Sequence, residues 1–364
     1  MNGKSKWLRK GLQDIVRVRD SYEDRSKMYR MDRNERTWPI SEVILEEIRN
    51  KISSDILTNY TEVERTYYRL ADYLGVRYEQ IYLHSGSDLV IKSIFETYIE
   101  KGDKVLIQNP SYAMYTVYSR MYGANLHEWE FDEKLSFSID DYCKCIEKEK
   151  PKLAVLENPG GYVGNGFSHE DVRKFIETSY ECDSLAVVDE AYIDFIPEAS
   201  VVDLIDKYDN LIVVRTFSKA WGLAGLRAGY AVSNEMLISE LFKVRPMHEL
   251  TSFTSMVVET MLDHMDEVRT YIDEVKCVRE YFCGELDSLG IRFADSSTHF
   301  VTACIGEKMD AEIFRSRAHQ NGFYVRRPFG QSILKNWVRI GLLPVDEMRS
   351  FVTFLQSMQE DNQG

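Results

Sequence analysis

Apolar runs alternate with longer stretches of helical period from about residue 76 to residue 245. The runs consist of Val, Ile, Leu and Ala positions without polar alternation, which is typical of strands covered on both faces. Helical stretches between such strands predict βαβ crossovers, so we expect an α/β domain with a mainly parallel central sheet flanked by helices. The predicted strands are residues 80–85, 103–110, 152–159, 185–192, 211–218 and 228–233.

The pattern changes after about residue 250. It predicts long amphipathic helices over 252–289, strand-like runs at 299–305 and 336–343, and a closing helix at 345–360. These elements indicate a smaller α+β domain. We therefore divide the chain into an N-terminal arm (1–30), a segment that packs with the small domain (31–60), a large domain (61–250) and a small C-terminal domain (251–364).

The chain is acidic, with 45 Lys and Arg against 59 Asp and Glu and a formal net charge of −14 over 364 residues. Such a surface argues against nucleic-acid and membrane partners, but it allows a local basic pocket for a small anion. Residues 1–35 are an exception, since they hold ten basic and six acidic residues. We expect this basic arm to contact another part of the protein or a second subunit.

Neither the start of the chain nor its cysteines indicate export or a metal site. No apolar run approaches the roughly 18 residues that span a membrane, and the first residues fit neither a secretory signal nor a transit peptide. Six cysteines and seven histidines are dispersed without zinc-ligand spacing. We therefore expect a reduced, cytoplasmic protein without a structural metal.

Polar residues follow the predicted strands at the end where open α/β sheets bind ligands. Asn158, Asp189 and Lys219 follow three strands at the regular spacing of a βαβ unit. Each residue alone has an ordinary explanation, such as a helix cap for the aspartate or a solvated lysine. An amide, a carboxylate and an amine at one edge of a sheet together predict a site.

Lys219 lies in the segment RTFSKAWGLAGLRAGY (215–230). An amine in a crevice can be desolvated enough to form a Schiff base with a carbonyl, and the nearby Ser218 and Arg227 suit a phosphate dianion. The glycines of the segment could equally serve close backbone packing. The sequence contains neither G-x-G-x-x-G nor G-x-x-x-x-G-K-[ST], which argues against a dinucleotide or a nucleoside triphosphate.

The lysine segment reads S-K-A-x-G-L-A-G-L-R-x-G-Y and is preceded by N-P-x-G and V-V-D-E-A-Y. These motifs resemble those of the pyridoxal-phosphate enzymes of the aspartate aminotransferase fold (fold type I, class I/II). The resemblance extends from about Asn34 to the C-terminus and is greatest for the histidinol-phosphate aminotransferase branch. It implies that fold, pyridoxal 5'-phosphate as the cofactor, and a homodimer.

The resemblance also implies roles for single residues. Lys219 is expected to form the Schiff base and to shuttle protons, and Asp189 to pair with the pyridine nitrogen, which makes the ring an electron sink. Arg339 is expected to hold the substrate carboxylate by two parallel hydrogen bonds. The other implied coenzyme contacts are Ser87, Asp88, Tyr112, Asn158, Tyr192, Thr216, Ser218 and Arg227, with Tyr60 from the neighbouring subunit.

Three positions bear on specificity. The run that usually reads N-N-P-T-G is Glu157-Asn158-Pro159-Gly160-Gly161 here, followed by Tyr162, which could alter the substrate side of the pocket. His248 is a candidate specificity residue in an unusual loop, with a structural or surface role as the alternative. Arg326 aligns best with an arginine that binds the phosphate of histidinol phosphate, and a solvated arginine is the alternative.

Three functions stay open on the sequence. The first is an aminotransferase of the histidinol-phosphate type, with a donor such as glutamate, a phosphorylated or polar carbonyl substrate and a ping-pong mechanism. The second is decarboxylation of a phosphorylated amino acid, which resembles threonine-phosphate decarboxylase and uses the same coenzyme residues. The third is a non-catalytic binding domain, against which the intact Lys219, Asp189 and Arg227 argue.

Overall fold

The computed structural model describes residues 6–13, 15–16, 25–327, 330 and 332–361. Within these residues the chain forms eleven β-strands and twelve α-helices, joined by loops and short 3-10 helices. The strands are β1 (Tyr29–Met31), β2 (Ile81–His84), β3 (Lys104–Asn109), β4 (Asn125–Glu130), β5 (Leu153–Glu157), β6 (Leu185–Asp189), β7 (Leu211–Thr216), β8 (Gly229–Ser233), β9 (Phe300–Ala303), β10 (Phe323–Val325) and β11 (Val338–Gly341). The helices are α1 (Glu42–Lys51), α2 (Ser54–Thr58), α3 (Glu64–Leu74), α4 (Ser87–Tyr98), α5 (Ala113–Tyr122), α6 (Ile139–Glu149), α7 (His169–Glu181), α8 (Glu235–Leu241), α9 (Ser252–Asp263), α10 (Met265–Ser288), α11 (Ala311–Gln320) and α12 (Val345–Asp361).

Seven strands form the central sheet, in the spatial order β2, β8, β7, β6, β5, β3, β4. The strands β4, β3, β5, β6 and β7 run parallel to one another. The strand β8 is antiparallel to both of its neighbours, β7 and β2. Helices cover both faces, which confirms the predicted α/β architecture with a mainly parallel sheet.

Alternate residues of the central strands point to opposite helical layers. In β3, Val105 belongs to the apolar cluster that contains Phe95 of α4. The next residue, Leu106, belongs to the cluster that contains Tyr142 of α6 and Phe175 of α7. Because both faces are buried, these strands read as continuous apolar runs in the sequence.

The strand β4 is not predicted from the sequence. Its residues, NLHEWE, are half-buried or exposed, so they form no apolar run. The strand lies at the edge of the sheet and is held by parallel pairing with β3. Edge strands of this kind are determined by the neighbour they pair with rather than by their own pattern.

Two further two-stranded sheets involve strands of the C-terminal part. The antiparallel pair of β9 and β11 matches the predicted runs at 299–305 and 336–343. The short strands β1 and β10 pair in parallel and are not predicted. The predicted helical stretch 252–289 consists of two helices, α9 and α10, which are separated at His264.

Residues 31–60 contact the C-terminal part of the chain. The Thr37 hydroxyl donates to the carbonyl of Leu342 at 2.7 Å, and Arg36 forms an ion pair with Glu267 at 2.7 Å. The division of the chain at residues 30, 60 and 250 stays a prediction, and residues 1–5, 14 and 17–24 of the predicted arm at 1–30 lie outside the described residues. In the ranges that are described, no helix is long and apolar enough to cross a membrane.

One close backbone approach fixes the start of α4. Gly229 begins β8, and a Cβ atom on it would lie 2.3 Å from the backbone nitrogen of Ser87 and 2.8 Å from the carbonyl carbon of Gly86. Both are main-chain atoms, which cannot give way without moving the start of the helix. The missing side chain of Gly229 therefore allows the N-terminus of α4 to lie directly against the sheet.

We expect Gly229→Ala to lower the free energy of unfolding by about 1–3 kcal/mol, the usual cost of overpacking a filled site. Gly225→Ala is the matched control, because a Cβ atom there meets nothing within 4 Å. The control should change the free energy of unfolding by less than about 0.5 kcal/mol. Urea unfolding of both variants measures the difference, and equal stability contradicts the inferred clash.

Candidate active site

A cavity of about 260 Å³ lies at the carboxyl ends of the central strands. The last residues of three neighbouring strands form part of its wall: Glu157 of β5, Asp189 of β6 and Thr216 of β7. This is the edge of the sheet at which the sequence predicts a site. The residues that line this central cavity are Arg33, Asn34, Ser87, Asp88, Tyr112, Ala113, Glu157, Pro159, Gly161, Tyr162, Asp189, Ala191, Tyr192, Thr216, Ser218, Lys219, Arg227, Arg326 and Arg339.

Asp189 is a carboxylate buried in the wall of the central cavity, with 5% of the residue exposed. Its Oδ2 accepts a hydrogen bond from the Tyr115 hydroxyl at 2.8 Å, and its Oδ1 accepts one from the Ala191 N–H at 3.1 Å. Burial raises the pKa of Asp189 to about 6, although these two hydrogen bonds act in the opposite direction. Within the part of the chain that the structure describes, no basic side chain forms an ion pair with Asp189.

Lys219 projects into the same cavity from the loop after β7. Its Nζ lies 3.3 Å from the carbonyl oxygen of Asn34 and 5.3 Å from the centroid of the Tyr192 ring. Asn34 is buried in a left-handed backbone conformation (φ 53°), and its side-chain amide donates to the Tyr192 hydroxyl at 2.8 Å. Because the Tyr192 oxygen accepts this bond, its own hydrogen can be directed into the cavity.

The start of α4 forms a cradle for an anion. The helix begins at Ser87, directly after Gly86, and its free N–H groups and dipole favour negative charge. The Arg227 guanidinium covers Gly86, since a Cβ atom there would lie 2.7 Å from the Arg227 Nη2. Thr216 and Ser218 line the cavity beside it, and the Thr216 hydroxyl accepts from the Ser218 N–H at 3.1 Å. This combination suits a phosphate dianion.

Tyr112 supplies an aromatic ring to the wall of the central cavity. It lies at the start of α5, and 38% of the residue is exposed. Its hydroxyl donates to the Asp88 carboxylate, and its backbone N–H donates to the Glu157 carboxylate. A ring that is fixed at both ends in this way can stack on a planar ligand.

Two arginines line the cavity together with Tyr162. The guanidinium groups of Arg326 and Arg339 lie 5.6 Å and 5.7 Å from the centroid of the Tyr162 ring. Arg339 is buried and donates to the carbonyls of Gly161 at 2.6 Å and Asp32 at 2.9 Å. Burial, followed by the charge of Arg326, lowers the pKa of Arg339 to about 10, so this group stays cationic at neutral pH. The pair offers two positive positions to an anionic substrate.

Three predicted site residues do not line the central cavity. Asn158 is fully buried, and its amide exchanges hydrogen bonds of 2.8 and 3.3 Å with the backbone of Phe167. Tyr60 and His248 are exposed and stack on each other, with ring centroids 4.0 Å apart and an interplanar angle of 7°. The other predicted residues, eleven in number, line the cavity together. The roles assigned to all of them stay predictions.

Two buried residues beside Lys219 are missing from the predicted site. Asn34 lines the cavity and contacts both Lys219 and Tyr192. His299 is 1% exposed, and its Nε2 lies 3.0 Å from the Asn34 carbonyl. Burial lowers the pKa of His299 to about 3, so the ring is neutral and donates its Nε2–H to that carbonyl. The tolerance of asparagine for left-handed backbone is only a weak signal in the sequence, and His299 carries none.

The groups that face the central cavity fit pyridoxal phosphate. A phosphate requires N–H donors and a fixed cation, which the start of α4 and Arg227 provide. A protonated ring nitrogen requires a carboxylate, and Asp189 is buried without a basic partner among the described residues. An aldehyde requires a primary amine, and Lys219 lies in the same wall.

Comparison with known proteins leads to the same cofactor. Residues 28–355 match the family of aminotransferases of class I and II. The histidinol-phosphate aminotransferase of Thermoanaerobacter sp. (strain X514) is 36% identical over 276 residues, which cover 75% of this chain and 77% of that protein.

Solved structures share the fold. The histidinol-phosphate aminotransferase from Sinorhizobium meliloti, in complex with pyridoxal-5'-phosphate, has a TM-score of 0.87 at 22% identity and covers 99% of this chain and 98% of that chain. The L-threonine-O-3-phosphate decarboxylase from Porphyromonas gingivalis has a TM-score of 0.79 at 19% identity, with coverage of 92% and 100%. At these identities the two structures establish the fold alone. By its family match and its sequence relatives, the chain belongs to the class I and II aminotransferases and is a pyridoxal-phosphate-dependent aminotransferase of the histidinol-phosphate aminotransferase branch.

Proposed function

We propose that this aminotransferase moves an amino group between a donor such as glutamate and a phosphorylated carbonyl compound, of the kind whose amination gives histidinol phosphate. The observation that carries the proposal is the pair of Arg326 and Arg339 beside Tyr162, in the same cavity as Lys219. In a ping-pong mechanism donor and acceptor occupy one site in turn. Two guanidinium groups suit the two carboxylates of glutamate, and Arg326 also suits a substrate phosphate. The name of the Thermoanaerobacter relative supports the same substrate class.

The coenzyme is held by groups at each of its ends. When bound, pyridoxal phosphate supplies an electron sink for charge that develops at the substrate Cα. Asp189 would pair with the ring nitrogen, and Tyr112 would supply its aromatic ring as a stacking surface. Tyr192 and Asn158 donate to the phenolic oxygen: the Tyr192 hydroxyl keeps its own hydrogen, and one amide hydrogen of Asn158 remains beyond its bond to Phe167.

The phosphate is held at the start of α4. The donors that we assign to it are the backbone N–H groups of the first helical turn, the hydroxyls of Ser87, Thr216 and Ser218, and the guanidinium of Arg227. Asp88 contributes through its backbone, since its carboxylate accepts the Tyr112 hydroxyl and would repel a phosphate.

Lys219 is the acid and base of the reaction. Its Nζ lies next to a carbonyl oxygen, that of Asn34, and not next to a carboxylate, so the amine can change its charge without breaking an ion pair. In the proposed mechanism Nζ takes the proton from the substrate Cα and later delivers it as a general acid. Arg339 holds the substrate carboxylate so that the Cα–H bond faces Nζ.

We further propose that the enzyme is a cytoplasmic homodimer in which Tyr60 reaches the phosphate of the neighbouring subunit. Tyr60 is 79% exposed and stacks on His248, so its ring is accessible to a second subunit. His248 then acts by holding Tyr60 and not by lining the cavity of its own subunit. The cysteines are free, in agreement with a reducing compartment.

The two alternative functions have less support. Decarboxylation of a phosphorylated amino acid rests on a likeness of fold at 19% identity. No contact in the central cavity favours it over amino transfer. A non-catalytic binding domain would not require the amine, the buried carboxylate and the fixed cation that line one cavity together.

The first test removes the amine. We expect Lys219→Ala to lose the visible absorption band of the coenzyme-bound protein and to transaminate about 100- to 10,000-fold more slowly, because its general acid and base is gone. The exposed Lys243→Ala is the control and should keep both properties. Glutamate should bleach the band of the wild-type protein. A band that glutamate leaves unchanged, with carbon dioxide released from an amino-acid phosphate, contradicts the proposed function and supports the decarboxylase.

The second test concerns the substrate phosphate. We expect Arg326→Ala to raise KM for histidinol phosphate by about tenfold or more, the usual effect of losing a charged hydrogen-bond partner. KM for unphosphorylated histidinol should change far less. Arg327→Ala, at the exposed neighbouring position, is the matched control and should alter neither value. Steady-state kinetics on both substrates measure the effect, and equal rises in the two KM values for Arg326→Ala speak against the assignment.

The third test uses pH. In the coenzyme-free protein the pKa of Asp189 is about 6, so the carboxyl group is neutral at pH 5 and must release a proton to pair with a protonated ring nitrogen. The wild type should bind pyridoxal phosphate more tightly than Asp189→Asn at pH 7.5. This ratio of affinities should fall by about tenfold at pH 5. Fluorescence titration of both coenzyme-free proteins with pyridoxal phosphate measures this ratio. A ratio that is the same at both pH values shows that Asp189 does not hold the ring nitrogen.

A further inference from the structure

Glu157 ends β5 in the wall of the central cavity and departs from the family run N-N-P-T-G. We propose that Glu157 is a positioning residue for substrate binding. Its carboxylate ties the loop that carries Tyr112 to the loop whose Gly161 carbonyl holds Arg339. The inference rests on the proposed function, because it concerns the arginine that holds the substrate carboxylate in that proposal.

The Glu157 carboxylate joins two loops that follow different strands. One oxygen accepts a hydrogen bond from the backbone N–H of Tyr112, in the loop after β3, and the Ser111 hydroxyl donates to the same carboxylate. The other oxygen accepts from the backbone N–H of Gly161, in the loop after β5, at 2.9 Å. The backbone N–H of Glu157 is itself fixed, since it donates to the side chain of Gln108 at 2.6 Å.

Gly161 transmits this constraint to the substrate side. Its carbonyl accepts from Arg339 Nη1 at 2.6 Å and lies 3.5 Å from Asn34 Nδ2. A Cβ atom on Gly161 would lie 3.5 Å from Glu157 Oε2, so the carboxylate packs directly against this residue. The N–H and the carbonyl of Gly161 belong to adjacent peptide units. A shift of the N–H therefore moves the carbonyl, and with it the guanidinium of Arg339.

A carboxylate at this position does what the asparagine of the family run cannot. In its ionised form it has two acceptor oxygens and no donor, so it can accept from both loops, whereas an amide would direct its NH₂ group at one of the two N–H donors. Asparagine is also shorter by one methylene group. Burial, followed by the charge of Asp189 on the adjacent strand, raises the pKa of Glu157 to about 7, and the bonds from the two loops act against this rise. The hydrogen bonds from the two loops therefore stabilise the charged form of Glu157.

A double-mutant cycle on the coenzyme-bound enzyme tests the proposal. The wild type, Glu157→Gln, Arg339→Lys and the double variant are mixed with glutamate, and the decay of the visible band in a single turnover gives the Kd for glutamate and the limiting rate. We expect Glu157→Gln to raise this Kd by about tenfold in the wild type but by less than about twofold in the Arg339→Lys background. The limiting rate should change by less than about threefold, since Lys219 is untouched.

Two further variants separate positioning from a general loss of structure. Glu259→Gln removes a carboxylate that accepts from the Thr66 hydroxyl at 2.8 Å outside the central cavity, and it should leave the Kd for glutamate unchanged. Glu157→Asp keeps two acceptor oxygens and should recover part of the lost affinity. It replaces Glu157→Gln in the cycle if that variant does not bind the coenzyme. The proposal is overturned by additive effects in the cycle, by an unchanged Kd, or by equal Kd values for the Asp and Gln variants.

Failure of the proposed function gives a different result. If glutamate does not bleach the wild-type band, the proposed donor is wrong, and the cycle is run with succinate, a dicarboxylate that has no amino group to transfer, with its binding measured by calorimetry. Non-additive effects of Glu157→Gln and Arg339→Lys on the Kd for succinate then support the role of Glu157. Additive effects overturn it.

Discussion

The site is built around a carboxylate that is buried at the end of a strand. Taking the Asp189 side chain out of water is costly, and the Tyr115 hydroxyl and the Ala191 N–H offset only part of that cost. The described residues supply no basic partner, so this wall holds a buried carboxylate that a cationic ligand group, such as the protonated ring nitrogen of our proposal, would balance. Coenzyme binding and the stability of the site are therefore linked, since a ligand that binds only the folded state stabilises it.

Two cations of the site, Lys219 and Arg339, are held by neutral acceptors. Lys219 contacts the Asn34 carbonyl, and Arg339 donates to the carbonyls of Gly161 and Asp32. A carbonyl fixes the direction of a cation without cancelling its charge, so both groups remain available to anions and to proton transfer. This explains how a chain with a net charge of −14 keeps a basic cavity. It also explains why residues 32–34, far from β7 and β11 in sequence, are part of the site.

The sequence is informative where burial and chain direction decide the structure. Strands covered on both faces read as apolar runs, and parallel strands bring their carboxyl ends to one edge, so Asp189 and Lys219 could be predicted to lie near one another. The contacts that could not be predicted depend on loops that meet only after folding. Asn34 reaches Lys219 through a left-handed turn, and the amide of Asn158 is directed at Phe167, which no periodicity encodes.

The register of the sheet also explains why the cavity holds two buried carboxylates with different tasks. Glu157 and Asp189 are paired across β5 and β6, and the charge of Asp189 raises the cost of ionising Glu157. The two carboxylates differ in their hydrogen-bond donors. Glu157 accepts hydrogen bonds from two loop N–H groups and the Ser111 hydroxyl, so its oxygens are occupied by donors of the protein itself. Asp189 accepts from one hydroxyl and one N–H and can accept from a further donor. In our two proposals, two equivalent strand ends thus supply one carboxylate for the coenzyme and one for the backbone that holds Arg339.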